Sequence, residues 1–334
     1  VIGMVFVSFG FRFRVNVEAM NMVESVGNYS RHRVAPIIRR FIEDGNVRYE
    51  VQFLPVVSGQ SVANAYMRAL TDLAVSRNIP VCDICRSYME LGGFPKRPNE
   101  LKDVGARIQE CAVEDITGFM AAPPGGGQAV RRTSRAQFSY LIPDADSARH
   151  VSPMPQFHVR YGKEEQMIFN VESGSAIYTL ITNIDVDGIG RVDSNKIVVN
   201  NRKDRITLAI EALALMINGG YVGAKKSRYF PQMEPLGAVA VVSHPYPFVV
   251  SPPKVRQDSN GALAPWYLED TVTRALRFKQ MFNATVKIFY LDNEFNWVPQ
   301  SDEAKKIIER VNDINSLIDK VKNEVLGQTK DGTA

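Results

Sequence analysis

Apolar and polar residues alternate most regularly near the start of the chain. Phe11, Phe13, Val15 and Val17 fall on one face, with Arg12, Arg14, Asn16 and Glu18 on the other, which predicts a half-buried strand over 11–18. The segment Asn21–Pro36 shows no period and is expected to be irregular. Alternation returns from Val47 to Phe53. After Pro55-Val56-Val57, Ser58 stands as an N-cap before Val62, Tyr66, Leu70 and Leu73, a stripe that predicts a helix. Residues 78–112 hold Pro80, Gly92-Gly93, Pro95 and Pro98 among short helical stretches, and so read as an inserted subdomain. The glycine- and proline-rich run 118–130 is expected to be a loop, and 143–155 is polar and strand-breaking. Gln156–Tyr161 predicts a strand with Gln156, His158 and Arg160 on one face, and 168–184 is β-rich. Residues 185–201 resemble a protruding hairpin. Ile206, Ile210, Leu213 and Ile217 predict a helix over 202–217, ended by Gly219-Gly220. Val239–Val242 is a candidate buried strand, and 301–326 reads as one long amphipathic helix carrying Ile307, Val311, Ile314, Ile318, Val321 and Val325.

At 334 residues the chain can bury a full core, as one enlarged domain or as two. The longest apolar runs, such as Leu236–Val242, are strand-sized, far short of the roughly 20 residues a membrane span needs. Val1–Val7 lacks the basic start and cleavage pattern of a signal peptide, so a soluble, cytoplasmic protein is expected. The net charge of +4 is modest, so any basic character must be local. It is local. Residues 1–40 carry Arg12, Arg14, Arg31, Arg33, Arg39 and Arg40 against Glu18 and Glu24, and residues 121–140 carry three arginines and no acid.

Three basic clusters sit beside turns: Arg31-His32-Arg33, Arg131-Arg132-Thr133-Ser134-Arg135 and Lys225-Lys226-Ser227-Arg228. Arginine forks and lysine ammonium groups hold phosphate oxygens, and three such clusters point to an extended polyanion. Ser58-Gly59-Gln60-Ser61 opens a helix, whose N-terminus favours anions. A plain cap and three solvated loops are the bland readings. His158 beside Arg160 could reach a phosphate or a ribose hydroxyl. The chain has no nucleotide P-loop and no base-stacking motif of the Lys/Arg-Gly-Phe-Gly-Phe type, which favours sequence-independent backbone contact with RNA. Cys82-x-x-Cys85 needs two more ligands for a structural zinc site, and Cys111 supplies at most one. The three cysteines are therefore expected to be reduced, with no metal and no cofactor.

At these same residues the chain resembles a known family. In order come Asn16-Val17-Glu18-Ala19-Met20-Asn21, Val23-Glu24-Ser25-Val26-Gly27-Asn28, Arg31-His32-Arg33, Pro55-Val56-Val57-Ser58-Gly59, Val130-Arg131-Arg132-Thr133-Ser134-Arg135, Gln156-Phe157-His158-Val159-Arg160 and Lys225-Lys226-Ser227-Arg228-Tyr229-Phe230-Pro231. They resemble the archaeal type I-A CRISPR Cascade backbone subunit, or DevR-type CRISPR autoregulator family, of the repeat-associated mysterious protein (RAMP) superfamily. The match runs from about residue 11 to 250.

The resemblance implies an α+β fold: an RRM-like (ferredoxin-like) core with large helical and hairpin insertions. The core is expected over 1–60 and 118–250, with a helical insertion at 61–117, a thumb-like hairpin at 185–201, and C-terminal strands and an amphipathic helix at 251–334. It implies a non-catalytic scaffold that polymerises along CRISPR RNA beside other Cascade subunits, leaving the guide free to pair with target DNA. The expected RNA-binding residues are Arg31, His32, Arg33, Ser58, Arg131, Arg132, Arg135, His158, Lys225, Lys226 and Arg228. Related type III subunits cleave RNA with an aspartate in the loop after the first strand, and residues 23–30 here contain none. Two rivals remain at this point. One is a RAMP-type RNA endonuclease using His158 with Glu24 or Asp115. The other is a DNA-binding autoregulator, although no helix-turn-helix with a basic recognition helix is visible.

Overall fold

The apolar alternation runs from Val7 through Phe9, Phe11 and Phe13 to Val15, all buried, and these residues form strand β1 (Phe6–Glu18) at the centre of the fold. The computed structural model describes residues 4–98, 101–123, 125–144, 152–158, 167–193, 196–257 and 261–329, with only the backbone at 42, 152–154, 157, 158 and 167. After β1 come β2 (Met22–Val26), β3 (Tyr29–His32), β4 (Val34–Glu43), β5 (Asn46–Pro55) and the helix α1 (Gly59–Ser76). Short elements follow: α2 (Asp83–Arg86), α3 (Tyr88–Leu91), α4 (Val104–Glu110), α5 (Ala112–Thr117), β6 (Phe119–Ala121), β7 (Val130–Arg132), β8 (Ala136–Phe138) and β9 (Ile142–Pro143). Then come β10 (Ser152–His158), the long β11 (Met167–Asp185), α6 (Arg202–Asn218) and β12 (Gln232–His244). The chain continues through β13 (Arg256–Gln257), β14 (Leu263–Ala264), α7 (Trp266–Phe282), β15 (Thr285–Asp292), α8 (Asp302–Ile307), β16 (Ile308–Arg310) and α9 (Ile314–Gln328).

β1 pairs antiparallel with β11 on one side and β12 on the other, β12 pairs with β15, and β16 lies parallel to β15. The C-terminal half of β11 also carries β8 and β9, while its N-terminal half carries β10 and the small β3–β2 hairpin. The fold is therefore a mixed sheet with helices. On one face α1, α6 and α9 cover the phenylalanines of β1 through Tyr66, Leu70, Ile206, Leu213, Leu317 and Val321. On the other face α7 covers Val239, Val241, Ile288 and Tyr290. β12 thus buries both its faces, which explains why its sequence is a continuous apolar run rather than an alternation.

Several expectations fail for identifiable reasons. The polar side of β1 is only partly solvated: Arg14 and Asn16 are exposed, but Arg12 is buried, its guanidinium 2.6 Å from both Asp144 and Glu294. A bulge between Val15 and Glu18 then shifts the register, so Val17 (φ 47°) is exposed and Glu18 points inward. The segment 21–36, expected to be irregular, supplies β2, β3 and the start of β4. The long C-terminal helix is broken into α8 and α9 because Ile308–Arg310 pair with β15, and Ser301 and Asp313 each cap a helix with a side-chain oxygen. The helix at 202–218 and the helix capped by Ser58 form as the periodicity indicates.

The β4–β5 hairpin turns at Asp44-Gly45, both with positive φ, and exposes Val34, Ile38, Val47, Tyr49, Val51 and Phe53 on one face. By contrast the described part of 185–201, expected to protrude, is packed down: Val186 and Ile189 are fully buried and Arg191 nearly so. No helix among the described residues is long and apolar enough to cross a membrane. The rings of Phe9, Phe11 and Phe13 stack in a row with centroids 5.7 and 5.8 Å apart. Phe11→Ala should therefore lower the unfolding free energy by about 3–5 kcal/mol in chemical denaturation. A loss within experimental error would contradict this packing.

Candidate nucleic-acid interface

The bulge in β1 sets up the site. Glu18, turned inward, accepts hydrogen bonds from Tyr178 Oη at 2.6 Å, from the Met20 backbone N–H at 2.7 Å and from His32 Nε2 at 2.8 Å. His32 Nδ1 lies 2.8 Å from the Arg33 carbonyl oxygen. Both ring nitrogens thus face acceptors, an arrangement that suits the protonated ring. Burial alone would lower the pKa of this imidazole, but the hydrogen bond and charge of Glu18 outweigh it and raise the pKa above 6.5. The pair fastens the β3 end to β1 and so fixes the next residue along the chain.

That residue, Arg33, lines a groove of about 380 Å³ with Asn21, Ser58, Ser61, Asn64, Arg68 and Tyr221, and no carboxylate lines it among the described residues. Asn21 holds it together: its side-chain oxygen accepts from the Ser58 N–H at 2.8 Å, and its carbonyl accepts from the Arg33 N–H at 2.8 Å. Ser58 caps α1 by accepting from the Ser61 N–H at 3.2 Å, so the positive end of an 18-residue helix opens into the groove. The Nε atoms of Arg33 and Arg68 are both buried with no hydrogen-bond partner. Lys226 donates to the Gly220 carbonyl at 2.9 Å, and burial together with the charge of Arg68 lowers its pKa. This gathering of cations at a helix N-terminus makes the groove a candidate anion site. A second cleft adjoins this one through Gln60 and Phe94 and includes Lys96 and Ser134.

The structure divides the expected contact residues. Arg33 and Ser58 line the groove, and Lys226 lies close to Arg68. Lys225 and Arg228 are exposed, as is Arg131 on β7. Arg31 is exposed, on a strand rather than in a loop, and pairs with Glu24 at 3.0 Å. His32 is enclosed by Glu18 and has no open side. Arg132 differs most from the expectation. It is buried, donating to Asp115 at 2.5 Å and to the Arg191 and Gly188 carbonyls at 2.8 Å each. Asp115 is shared with Arg205 at 3.1 Å, so this arginine holds the β6–β7 hairpin to the segment before α6 and presents no donor to solvent-borne phosphate. Gly118, with φ +70°, lets this hairpin lie against the backbone of Arg132 where a Cβ would clash. Arg135 pairs with Asp185 at 2.9 Å. The side chain of His158 and residues 159–161 lie outside the described residues.

Sequence reasoning missed Asn21, Asn64, Arg68, Phe94 and Tyr221. A signal was present for some of them: Gln60, Asn64 and Arg68 recur every four residues on α1, a polar stripe opposite Val62, Tyr66 and Leu70. Of the acids in the nuclease reading, Asp115 is fully buried between two arginines and Glu24 is exposed and paired with Arg31. The three cysteines come together: Cys82, Cys85 and Cys111 place their Sγ atoms within 4.8 Å of one another.

Comparison with known proteins bears on this geometry. The family described as CRISPR-associated negative auto-regulator DevR/Csa2 matches residues 9–261. The CRISPR-associated protein Cas7/Csa2 1 of Saccharolobus solfataricus is 33% identical over 267 residues, 74% of this chain and 81% of its own length. The CRISPR-associated aCascade subunit Cas7/Csa2 2 of the same organism is 31% identical over 314 residues, covering 86% and 92%. Among solved structures, a chain of a CRISPR RNA-guided surveillance complex in a pre-nicking state aligns with a TM-score of 0.51 at 10% identity over 96% of this chain, a likeness of fold.

The raised pKa of His32 sets the sign of a pH test. Its contribution is fully present below the unfolded value of about 6.5 and is lost as pH rises through the higher folded value. His32→Ala should cost about 3–5 kcal/mol at pH 6 and clearly less at pH 9, read by urea denaturation of both proteins. An equal cost at both pH values would contradict a charged His32.

Proposed function

The chain belongs to the CRISPR-associated DevR/Csa2 family, and from that premise we propose that it is the backbone subunit that binds CRISPR RNA. In this reading copies polymerise along the guide within a Cascade-type DNA interference complex, beside other subunits, and the bound guide pairs with target DNA. The observation that carries the proposal is the groove at the N-terminus of α1, which Arg33 and Arg68 line together with the Ser58 cap and with no carboxylate among its described lining residues. Such a groove addresses phosphate and sugar and leaves base edges alone, as a carrier of guides of every sequence requires. Arg33, Ser58, Arg68 and Lys226 make the central contacts, Arg131, Lys225 and Arg228 extend them at the surface, and His32 and Arg132 act by positioning. Phe94, between the two clefts, offers a ring on which a base can stack.

The core reads as RRM-like. Strand order β12–β1–β11–β8, with α1 between β1 and β8 and α6 between β11 and β12, is the βαββαβ arrangement of a ferredoxin-like fold. The domain division follows from it: α1 belongs to the core, while 22–55 and 79–132 are insertions. The exposed apolar face of the β4–β5 hairpin, rather than 185–201, is the thumb that reaches a neighbouring copy, a heterologous contact that propagates instead of closing. The burial of Asp115 and the pairing of Glu24 favour a subunit that does not cut RNA. An RNA partner of this kind supports a cytoplasmic location.

Arg68→Ala and Lys226→Ala should weaken binding to unrelated single-stranded RNAs equally. Each should flatten the slope of log K against log salt by about 0.7 per lost phosphate contact, measured by filter binding. Arg132→Ala should leave the slope unchanged and instead destabilise the fold by about 3–5 kcal/mol. A preference for one duplex DNA site would favour an autoregulator, and Mg²⁺-dependent shortening of the RNA a nuclease. Phe53→Asp should abolish the multi-copy species on long RNA seen by native gel while sparing single-copy binding to a short RNA. Unchanged laddering would remove the hairpin from the contact between copies.

A further inference from the structure

The insertion between α1 and β8 contains a second constellation that the RNA groove does not use. Cys82 is the N-cap of α2, Cys85 lies within that helix, and Cys111 is the N-cap of α5. All three are unbridged, and their Sγ atoms lie within 4.8 Å of one another. Sulfurs bound tetrahedrally to one zinc at about 2.3 Å stand about 3.8 Å apart, so these thiols are already near the spacing of a shared ion. Cys-x-x-Cys at the start of a short helix supplies two ligands from one turn, and the α4–α5 junction supplies the third.

The surroundings agree. Lys96 lies close enough for Cys85 and Cys111 to act on its charge, and Arg97 close enough to act on Cys82. Three thiolates around a dication leave one net negative charge, which Lys96 offsets, while Arg97 beside Cys82 is already paired with Glu110 and Glu114. The Glu114 N–H points at Cys111 Sγ at 3.5 Å, and the Ala112 N–H donates to the Pro80 carbonyl at 2.8 Å, so the two ligand-bearing loops are already tied together. Cys85 and Cys111 are buried, whereas Cys82 is half-buried, so solvent reaches the cluster on its side.

We propose that Cys82, Cys85 and Cys111 form a three-thiolate zinc site, with water as the fourth ligand, that staples the helical insertion. The need is physical. α2 to α5 have only four, four, seven and six residues, lengths at which isolated helices do not hold together. A metal bridging α2 and α5 cross-links the insertion at both ends. The segment between them, carrying Phe94 and Lys96, borders both clefts, so the ion also fixes one wall of the RNA groove.

The test is metal analysis of the full chain purified under reducing conditions with zinc supplied. About one zinc per chain is expected, and exchange for cobalt should produce thiolate-to-cobalt charge-transfer absorption. Cys82→Ser, chosen because this residue sits at the rim, should lose most of the zinc while keeping the circular dichroism of the parent. Chelation of the parent should speed limited proteolysis within 79–118. Substoichiometric zinc in the parent, iron in its place, or zinc content unchanged in Cys82→Ser would each overturn the site. So would a Cys82–Cys85 disulfide whose reduction restores no zinc uptake.

Discussion

The groove depends on one buried ion pair. Glu18 reaches His32 only because β1 bulges after Val15, and the bulge reverses which side of the strand faces in. With a regular strand Glu18 would be solvated, His32 would have no counter-charge, and β3 would be free to slide past β1. A buried carboxylate with three donors is instead a fixed point. From it the chain runs directly to Arg33, whose backbone is held by Asn21 and whose neighbour in space is the cap of α1. The cost of burying a charge is met locally by hydrogen bonds, and a cationic side chain is thereby held in place before any ligand arrives.

The arginines of this chain fall into two populations that composition cannot separate. Arg12, Arg107, Arg132 and Arg205 are buried and matched to carboxylates, Asp144 and Glu294 for the first, Glu114 for the second and Asp115 for the last two. They join segments distant in sequence, and removing one leaves a charge stranded in the interior. Arg33 and Arg68, half-buried in a groove with no carboxylate among its described lining residues, and the exposed Arg131 and Arg228 are the opposite case. Only this second population can respond to salt and to polyanions. A basic run such as 131–135 contains both kinds, because in a strand Arg131 and Arg132 point to opposite sides.

Elements whose burial follows a simple period were legible in the sequence. The helices at 59–76 and 202–218 and the cap at Ser58 rest on side chains that meet one core, and β12 announces itself by a continuous apolar run buried on both faces. Elements set by long-range pairing were not. β16 interrupts an apparently continuous heptad because β15 offers it hydrogen-bonding partners, although Asp313 three residues before Ser316 was a visible cap. The β4–β5 hairpin carried its own signal, Asp44-Gly45 between alternating runs, and its apolar face escaped a reading that equated apolar with buried. Of the candidate groove, Arg33 and Ser58 were named from local chemistry, as was Lys226 beside it. Arg68, Asn64 and the cysteine cluster were not, because their meaning lies in what folding brings beside them.

Whether the α1 groove holds the RNA backbone is decided by photocrosslinking of RNAs substituted with 4-thiouridine, followed by mass spectrometry of the adducts. Adducts on the peptides around Met20–Arg33, Ser58–Arg68 and Tyr221–Lys226, the same for RNAs of unrelated sequence, are the expected result. Adducts confined to the opposite face, over α7 or 256–264, would put the RNA elsewhere on the molecule. A pattern that changes with sequence would equally contradict a groove that grips only phosphate and sugar.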